Sequence, residues 1–252
     1  MSVAVMAGVL DTAARSARAV PRLTEERELD VPQAYAVQRA LVDLRLGRGE
    51  RLAGIKLGFT SAAKMRQMGV SDLIWGRLTD AMRLADGAHL ELGNFVHPRI
   101  EPEIAFLIGD RIDERTADPV RAIEAVAPAY EIIDSRYEGF RFSLPDVIAD
   151  NSSSAAFGVG AWRAPDTELG NLGMLLEIDG RVAETGSSAA ILGHPLRSVH
   201  AAARLAATAG LALEPGWVIL AGAATAAVAL ERGTHARVRT SVLGTVEVTV
   251  HD

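Results

Sequence analysis

Near residue 50 this chain changes its periodicity, and that change restricts the fold more than any other feature of the sequence. From about residue 3 to 48, apolar and charged positions alternate at helical spacing, with breaks at Pro21 and around Pro32. Val31, Ala34, Val37, Leu41 and Leu44 recur three or four residues apart with Tyr35 alongside, which predicts an amphipathic helix begun near Asp30-Val31-Pro32. After Glu50, short apolar runs follow one another between glycines and prolines: Leu52–Phe59, Arg99–Ile108, Ala129–Ile133, Phe157–Gly160, Met174–Ile178, Trp217–Ala221 and Thr245–Val250. These read as strands of a mixed sheet. Helical patterns interrupt them at Pro119–Ala127 and Pro195–Ala209, the second ended by Gly210. Met174 to Glu184 reads as two strands joined by an Asp179-Gly180 turn. The expectation is an α/β (α+β) protein, with a helical N-terminal extension over 1–50 packed on a strand-rich domain over 51–252.

Composition narrows the function classes. A chain of 252 residues that is 49% hydrophobic and 23% charged can bury a sizeable core. A formal charge of −6 argues against a nucleic-acid partner, which demands a basic face. The chain has no cysteine, so disulfides, thiolate metal sites and cysteine nucleophiles are excluded. Met1 to Leu10 is apolar but lacks a basic start and runs straight into Asp11, unlike a signal peptide. No uninterrupted apolar run reaches the roughly 20 residues that span a bilayer, so no membrane partner and a cytoplasmic location are expected.

The chemistry concentrates between Glu101 and Arg136. In an extended strand, residues two apart share a face, so Glu101 and Glu103 project together while Pro102, Ile104, Phe106 and Ile108 pack the other side. A third acid, Glu131, lies in the apolar run Ala129–Ile133. Burying three carboxylates among apolar residues is costly unless a cation satisfies them. An all-oxygen set suits Mg²⁺ or Mn²⁺; the competing reading makes them rim acids paired with Arg99 and Arg136.

Lys56 sits inside Gly54-Ile55-Lys56-Leu57-Gly58, a strand of small and apolar residues. Either the ammonium snorkels to the surface, or a small ligand lies against the Leu57 N–H with Lys56 beside it. Asp150-Asn151-Ser152-Ser153-Ser154 follows the strand-like Val147–Ala149 and offers hydroxyls, an amide and backbone donors. Without a Gly-x-Ser-x-Gly elbow it reads as a substrate-binding turn or a plain polar turn. The six histidines lack the paired spacing of a zinc helix. The small-residue stretch Gly186–Pro195 lacks a phosphate-loop lysine and gives little support for nucleotide binding.

Taken together, Gly54–Gly58, Pro98–Phe106, Glu131–Arg136, Ala149–Ser153 and Leu192–Pro195 resemble, in order and spacing, the hydratase and decarboxylase branch of the fumarylacetoacetate hydrolase superfamily. The string Gly58–Val70, continuing through Ile74–Asp80, looks most like the decarboxylase side of that branch. The resemblance implies the family's C-terminal-like fold, curved mixed β-sheets around a barrel-like core with helices outside. It implies that Glu101, Glu103 and Glu131 hold one Mg²⁺ or Mn²⁺, and that Lys56, Leu57 and Ser153 contact the 2-oxo acid end of a substrate. It further implies decarboxylation of 2-oxo-3-hexenedioate to 2-hydroxypenta-2,4-dienoate and CO₂ in the meta-cleavage pathway of aromatic catabolism. The alternatives are hydration of that dienoate, with Asp80 as a conceivable acid or base, or a noncatalytic partner subunit. A homo-oligomer and a complex with a vinylpyruvate hydratase are the partners implied. A dicarboxylate substrate leaves the pocket with excess negative charge, which Lys56, Arg77, Arg136 or Arg141 would offset, while Met65, Met68, Ile74 and Trp75 would keep its far end dry.

Overall fold

The computed structural model describes residues 1–61 and 73–251. At the N-terminus, α1 (Val3–Ser16) starts where the Ser2 side chain accepts a hydrogen bond from Val5 N, α2 is a single turn (Leu23–Glu26), and α3 spans Val31–Leu46. The start of α3 is fixed by a reciprocal cap between Asp30 and Gln33, and Pro32 occupies the first turn, where no N–H is needed. Met6 and Leu10 of α1 pack with Ala34, Val37 and Leu41 of α3 over Tyr137, Val147 and Ile148.

The strands are β1 (Leu52–Gly58), β2 (Ile74–Thr79), β3 (Arg83–Leu84), β4 (Ala88–Glu91), β5 (Arg99–Ile108), β6 (Ile123–Ile133), β7 (Ser154–Val159), β8 (Gly173–Ile178), β9 (Arg181–Ser187), β10 (Val218–Leu220), β11 (Val228–Ala229), β12 (His235–Thr240) and β13 (Gly244–His251). Among the described residues they form a large sheet in the order β2-β1-β10-β5-β6-β7-β3, with β11 beside β5, and a smaller sheet in the order β4-β13-β12-β8-β9. Ile100, Tyr130 and Ile132 of the large sheet pack against Leu176, Val238, Val246 and Val248 of the small one. Further along the same face, Ile104 and Phe106 lie under Val199, Ala202 and Ala206 of the amphipathic helix at Leu196–Thr208. The other face of the large sheet curls around Leu78, Met82, Phe157 and Leu220, the barrel-like filling of this fold.

Two elements correct the sequence reading. The helix expected over Pro119–Ala127 is one 3-10 turn, Pro119–Ala122, after which the chain is β6. Ala125, Ala127 and Ala129 share a face at period two, Ile123 lies beyond a register shift at Leu107/Ile108, and β5 offers a long partner in register from Glu101↔Glu131 to Leu107↔Ala125. Conversely, the strand-like Val147–Ala149 belongs to α4 (Leu144–Ala149), which a Ser143–Asp146 capping box and Pro145 initiate. The Asp179-Gly180 hairpin forms as expected, with φ of 50° and 74° at the two turn residues.

Candidate functional site

Strand register brings the acids together. Glu101 and Glu131 are direct cross-strand partners on β5 and β6, and Glu103 follows Glu101 on the same face. One carboxylate oxygen from each lies within 4.8 Å of the others, and all three residues are buried. Lys56 stands three strands away on β1, and its pairing line through Leu220 and Ala105 meets β6 at Ala127, four residues from Glu131. In a flat sheet those backbones would be about 19 Å apart, beyond the reach of two side chains. The Lys56 ammonium nevertheless donates to Glu131 Oε2 at 3.0 Å, so the sheet must curl, and its curvature gathers the residues onto one concave face.

The electrostatics of the group are unbalanced. Gly222 N donates to Glu103 Oε2 at 2.6 Å and Lys56 serves Glu131 Oε2. Glu103 Oε1 and Glu131 Oε1 are buried and find no hydrogen-bond partner among the described residues. Burial, reinforced by the Glu131 and Glu101 charges, holds the Glu103 carboxyl well above its ordinary range. Burial likewise pushes Glu131 up to about 7, against the opposing pull of Lys56. Three buried carboxylates with oxygens within 4.8 Å of one another, two of them with an oxygen that finds no partner among the described residues, make a donor set that fits a hard divalent cation. Neither Arg99 nor Arg136 pairs with the trio, so the rim-acid reading is corrected: Arg136 is engaged by Asp150.

A cavity of about 330 Å³ opens beside this group, lined among others by Lys56, Glu101, Arg99, Phe140, Ile74 and Ser153. The serine turn reaches it in an unusual backbone form: Asn151, Ser152 and Ser153 have φ of 49°, 54° and 59°, three successive left-handed residues. That conformation costs roughly 1–2 kcal/mol per residue outside glycine, and side-chain bonds hold it. The Asn151 carboxamide pairs with the Arg77 main chain in both directions at 2.8 Å, Ser152 Oγ donates to Trp75 O at 2.8 Å, and Asp134 N donates to Ser153 O at 2.8 Å. Asn151 approaches so closely that a Cβ on Gly76 would lie 2.5 Å from its carbonyl oxygen. The result leaves Ser153 Oγ buried, at the cavity wall and without a partner among the described residues. Leu57 lies one residue past Lys56↔Leu220, the last paired position between β1 and β10.

Other expected residues are placed elsewhere. Asp80 is four residues beyond Gly76, the cross-strand partner of Lys56, and is held by Arg51 N and Nε at 2.9 and 3.1 Å. Those bonds depress its carboxyl, and the structure does not bring it to the trio. Arg77 pairs with Ile55 across β1 and β2 and therefore points to the opposite face from Lys56, where it bonds Gln38 Oε1 and lies over the Trp75 ring. Trp75 turns the same way and stacks on Tyr35, so it does not line the cavity as expected. Arg141 is exposed. Met65 and Met68 lie outside the described residues. Gly186–Pro195 is tied to neighbouring segments, with Ser188 Oγ donating to Leu169 O and Leu192 N to Thr60 O. Sequence reasoning missed the cavity's Phe140 and Phe142 and placed Arg99 only as a partner for the acids, although it shares a strand face with Glu101 and Glu103.

A family profile described as fumarylacetoacetate (FAA) hydrolase C-terminal matches residues 67–251, and the chain belongs to this family. It is similar over nearly its whole length to a 4-oxalocrotonate decarboxylase of Pseudomonas sp., at 54% identity over 98% of this chain and 97% of that protein. The 2-keto-4-pentenoate hydratase 1 of Dechloromonas aromatica (strain RCB) is 33% identical over 98% of this chain and 96% of that protein. In structure, the 4-oxalocrotonate decarboxylase from Pseudomonas putida G7, complexed with magnesium and adipate, aligns with a TM-score of 0.94 at 35% identity, covering 98% of this chain and 97% of that one.

Proposed function

We propose that this protein is a divalent-metal-dependent carboxy-lyase that converts 2-oxo-3-hexenedioate (4-oxalocrotonate) to 2-hydroxypenta-2,4-dienoate and CO₂. The observation that carries the reading is the buried Glu101, Glu103 and Glu131 group, whose carboxylate oxygens gather within 4.8 Å of one another beside Lys56 and a cavity. These acids would hold one Mg²⁺ or Mn²⁺, which when bound supplies a Lewis acid for the keto oxygen of a 2-oxo acid. In the reaction the C5–C6 bond breaks and CO₂ leaves. The electron pair passes through new C4=C5 and C2=C3 double bonds onto the C2 oxygen, which then takes a proton.

Each residue then has a defined task. Lys56 Nζ is anchored by Glu131 and offers its remaining protons to the oxygen on which charge develops, a contact strongest in the transition state. Ser153 Oγ and the main chain at Leu57 hold the 2-oxo acid end. Ile74, Phe140 and Phe142 exclude water from the rest of the chain, which favours loss of a charged carboxylate as neutral CO₂. Asp80 receives no role, since Arg51 holds it outside the cavity.

The same proposal treats residues 1–50 as an extension packed on a catalytic domain over 51–252. It includes a cytoplasmic enzyme that forms a homo-oligomer and associates with a vinylpyruvate hydratase, which light scattering of the chain alone and mixed with such a hydratase would test. Among the described residues no helix is long and apolar enough to cross a membrane.

Steady-state assays on 2-oxo-3-hexenedioate and on 2-hydroxypenta-2,4-dienoate, each with and without Mg²⁺, test the activity. The expected result is Mg²⁺-dependent CO₂ release from the first substrate and slow hydration of the second. Rapid hydration without CO₂ release would replace this reading with the hydratase.

A further inference from the structure

A dicarboxylate brings a second negative charge into this pocket, and few of the described residues can meet it. Arg77 is on the far face of the sheet, Arg136 is saturated by Asp150, and Arg141 is exposed. Arg99 is different. It lies two residues before Glu101 on β5, hence on the same face as Glu101 and Glu103, and it lines the same cavity as Lys56 and Ser153. Its guanidinium stacks over the Phe140 ring, 4.2 Å from the centroid, and makes no ion pair among the described residues. Stacking fixes the plane of the guanidinium while leaving its N–H edge available, the geometry that takes a carboxylate through two parallel hydrogen bonds. Phe140 is itself braced by His97 and Phe142 at centroid distances of 5.2 and 5.8 Å.

The span fits as well. Neighbouring residues on one strand face are about 7 Å apart, and the terminal carboxyl carbons of an extended six-carbon dioate are about 6 Å apart. We propose that Arg99, stacked on Phe140, forms the subsite for the second carboxylate and makes this pocket selective for 2-oxo dicarboxylates over 2-oxo monocarboxylates. The inference rests on the 2-oxo acid reading above and adds the group that recognises the other end.

The chemistry sets a distinctive kinetic signature. The carboxylate held by Arg99 loses its charge as the C5–C6 bond breaks and CO₂ forms. The ion pair is therefore strongest with the bound substrate and weakens toward the transition state. Arg99 recruits and orients the dianion without accelerating its reaction, so removing it raises KM and leaves kcat unchanged or higher.

The test compares wild type, Arg99→Met and Arg99→Lys with excess Mg²⁺, measuring steady-state decarboxylation and calorimetric binding of 2-oxoadipate and 2-oxohexanoate. These two probes differ in the far carboxylate alone. Wild type is expected to bind 2-oxoadipate roughly 10- to 100-fold more tightly than 2-oxohexanoate. Arg99→Met should abolish that preference and raise KM by a similar factor with kcat maintained, and Arg99→Lys, which keeps the charge but not the planar fork, should fall between. A preference retained in Arg99→Met, or a fall in kcat at unchanged KM, would overturn the subsite. Equal binding of both probes by wild type would overturn it while the 2-oxo acid reading stands, and binding of neither would overturn that reading too.

Discussion

Two buried ion pairs lie close together in this molecule and are built in opposite ways. In the first, Asp150 accepts from Arg136 N and Nε, while the Arg136 Nη2 donates to Asp150 O and Nη1 to Ser154 O. Charge is matched one to one, and main chain and side chain are interlocked. In the second, Lys56 donates to Glu131 beside two further acids, and carboxylate oxygens of Glu103 and Glu131 are left without partners among the described residues. The first pair ties the end of β6 to the serine turn, and nothing more can bind to it. The second is incomplete by design of the sheet's curvature, and incompleteness is what a ligand site requires. Burial of charge alone therefore does not mark function; the unfilled valences do.

Breaking the saturated pair should have the largest effect on the fold. Arg136→Met leaves Asp150 buried without its guanidinium and removes the bonds that set the turn. A loss of about 3–5 kcal/mol of stability is expected, read as a lower urea midpoint with an unchanged slope. A loss below about 1 kcal/mol would show that Arg136 is not the brace described.

Breaking the incomplete pair should separate stability from activity. In Lys56→Met the acids can neutralise themselves by holding a proton, since burial already pushes Glu131 up to about 7. The fold should survive with a far smaller loss than Arg136→Met, and Mg²⁺ affinity should be kept or increased because a competing cation is gone. The rate should nevertheless fall by roughly 10²–10³ in kcat, the range for a lost donor to a developing oxyanion. Near-normal kcat would place the ammonium outside the reaction.

The difference between the two pairs was only partly legible in the sequence. The three glutamates stood out because acids in apolar runs contradict their surroundings, and Lys56 stood out for the same reason. Arg136 and Asp150 lie in polar stretches, Asp134-Ser135-Arg136 and Asp150-Asn151-Ser152, and nothing in their spacing says that they cancel each other. Partner identity depends on strand register and on a turn of left-handed residues, and non-glycine residues give little local signal for that conformation. Period-two arguments recovered β5 to the residue, because its apolar and acidic positions differ in kind. They failed at the start of β6, where alanines on alternate positions look as helical as they look extended. Asp80 and Arg77 were misplaced for a related reason: a residue's distance along a strand from Lys56, and the face it takes, depend on the pairing of β1 with β2 rather than on its neighbours in sequence.

The two pairs should also answer differently to pH, a smaller effect that sharpens the contrast. Burial lifts Asp150 to about 6 despite Arg136, and lifts Glu131 to about 7. Both lie above the ordinary values of 3.8 and 4.5, so between these limits the folded, metal-free protein holds more protons than the unfolded chain. Stability must then fall as pH rises through that window. Deprotonating Asp150 meets a cation already in place, whereas deprotonating Glu131 adds negative charge beside Glu101 and Glu103 that a divalent ion would relieve. The melting temperature of metal-free protein should drop by a few degrees between pH 5 and 7.5. Saturating Mg²⁺ should restore more of it at pH 7.5 than at pH 5, because at low pH protons occupy the oxygens the ion needs. Differential scanning calorimetry at the two pH values, with and without Mg²⁺, measures this, and equal Mg²⁺ increments at both would mean that the ion does not displace protons from this trio.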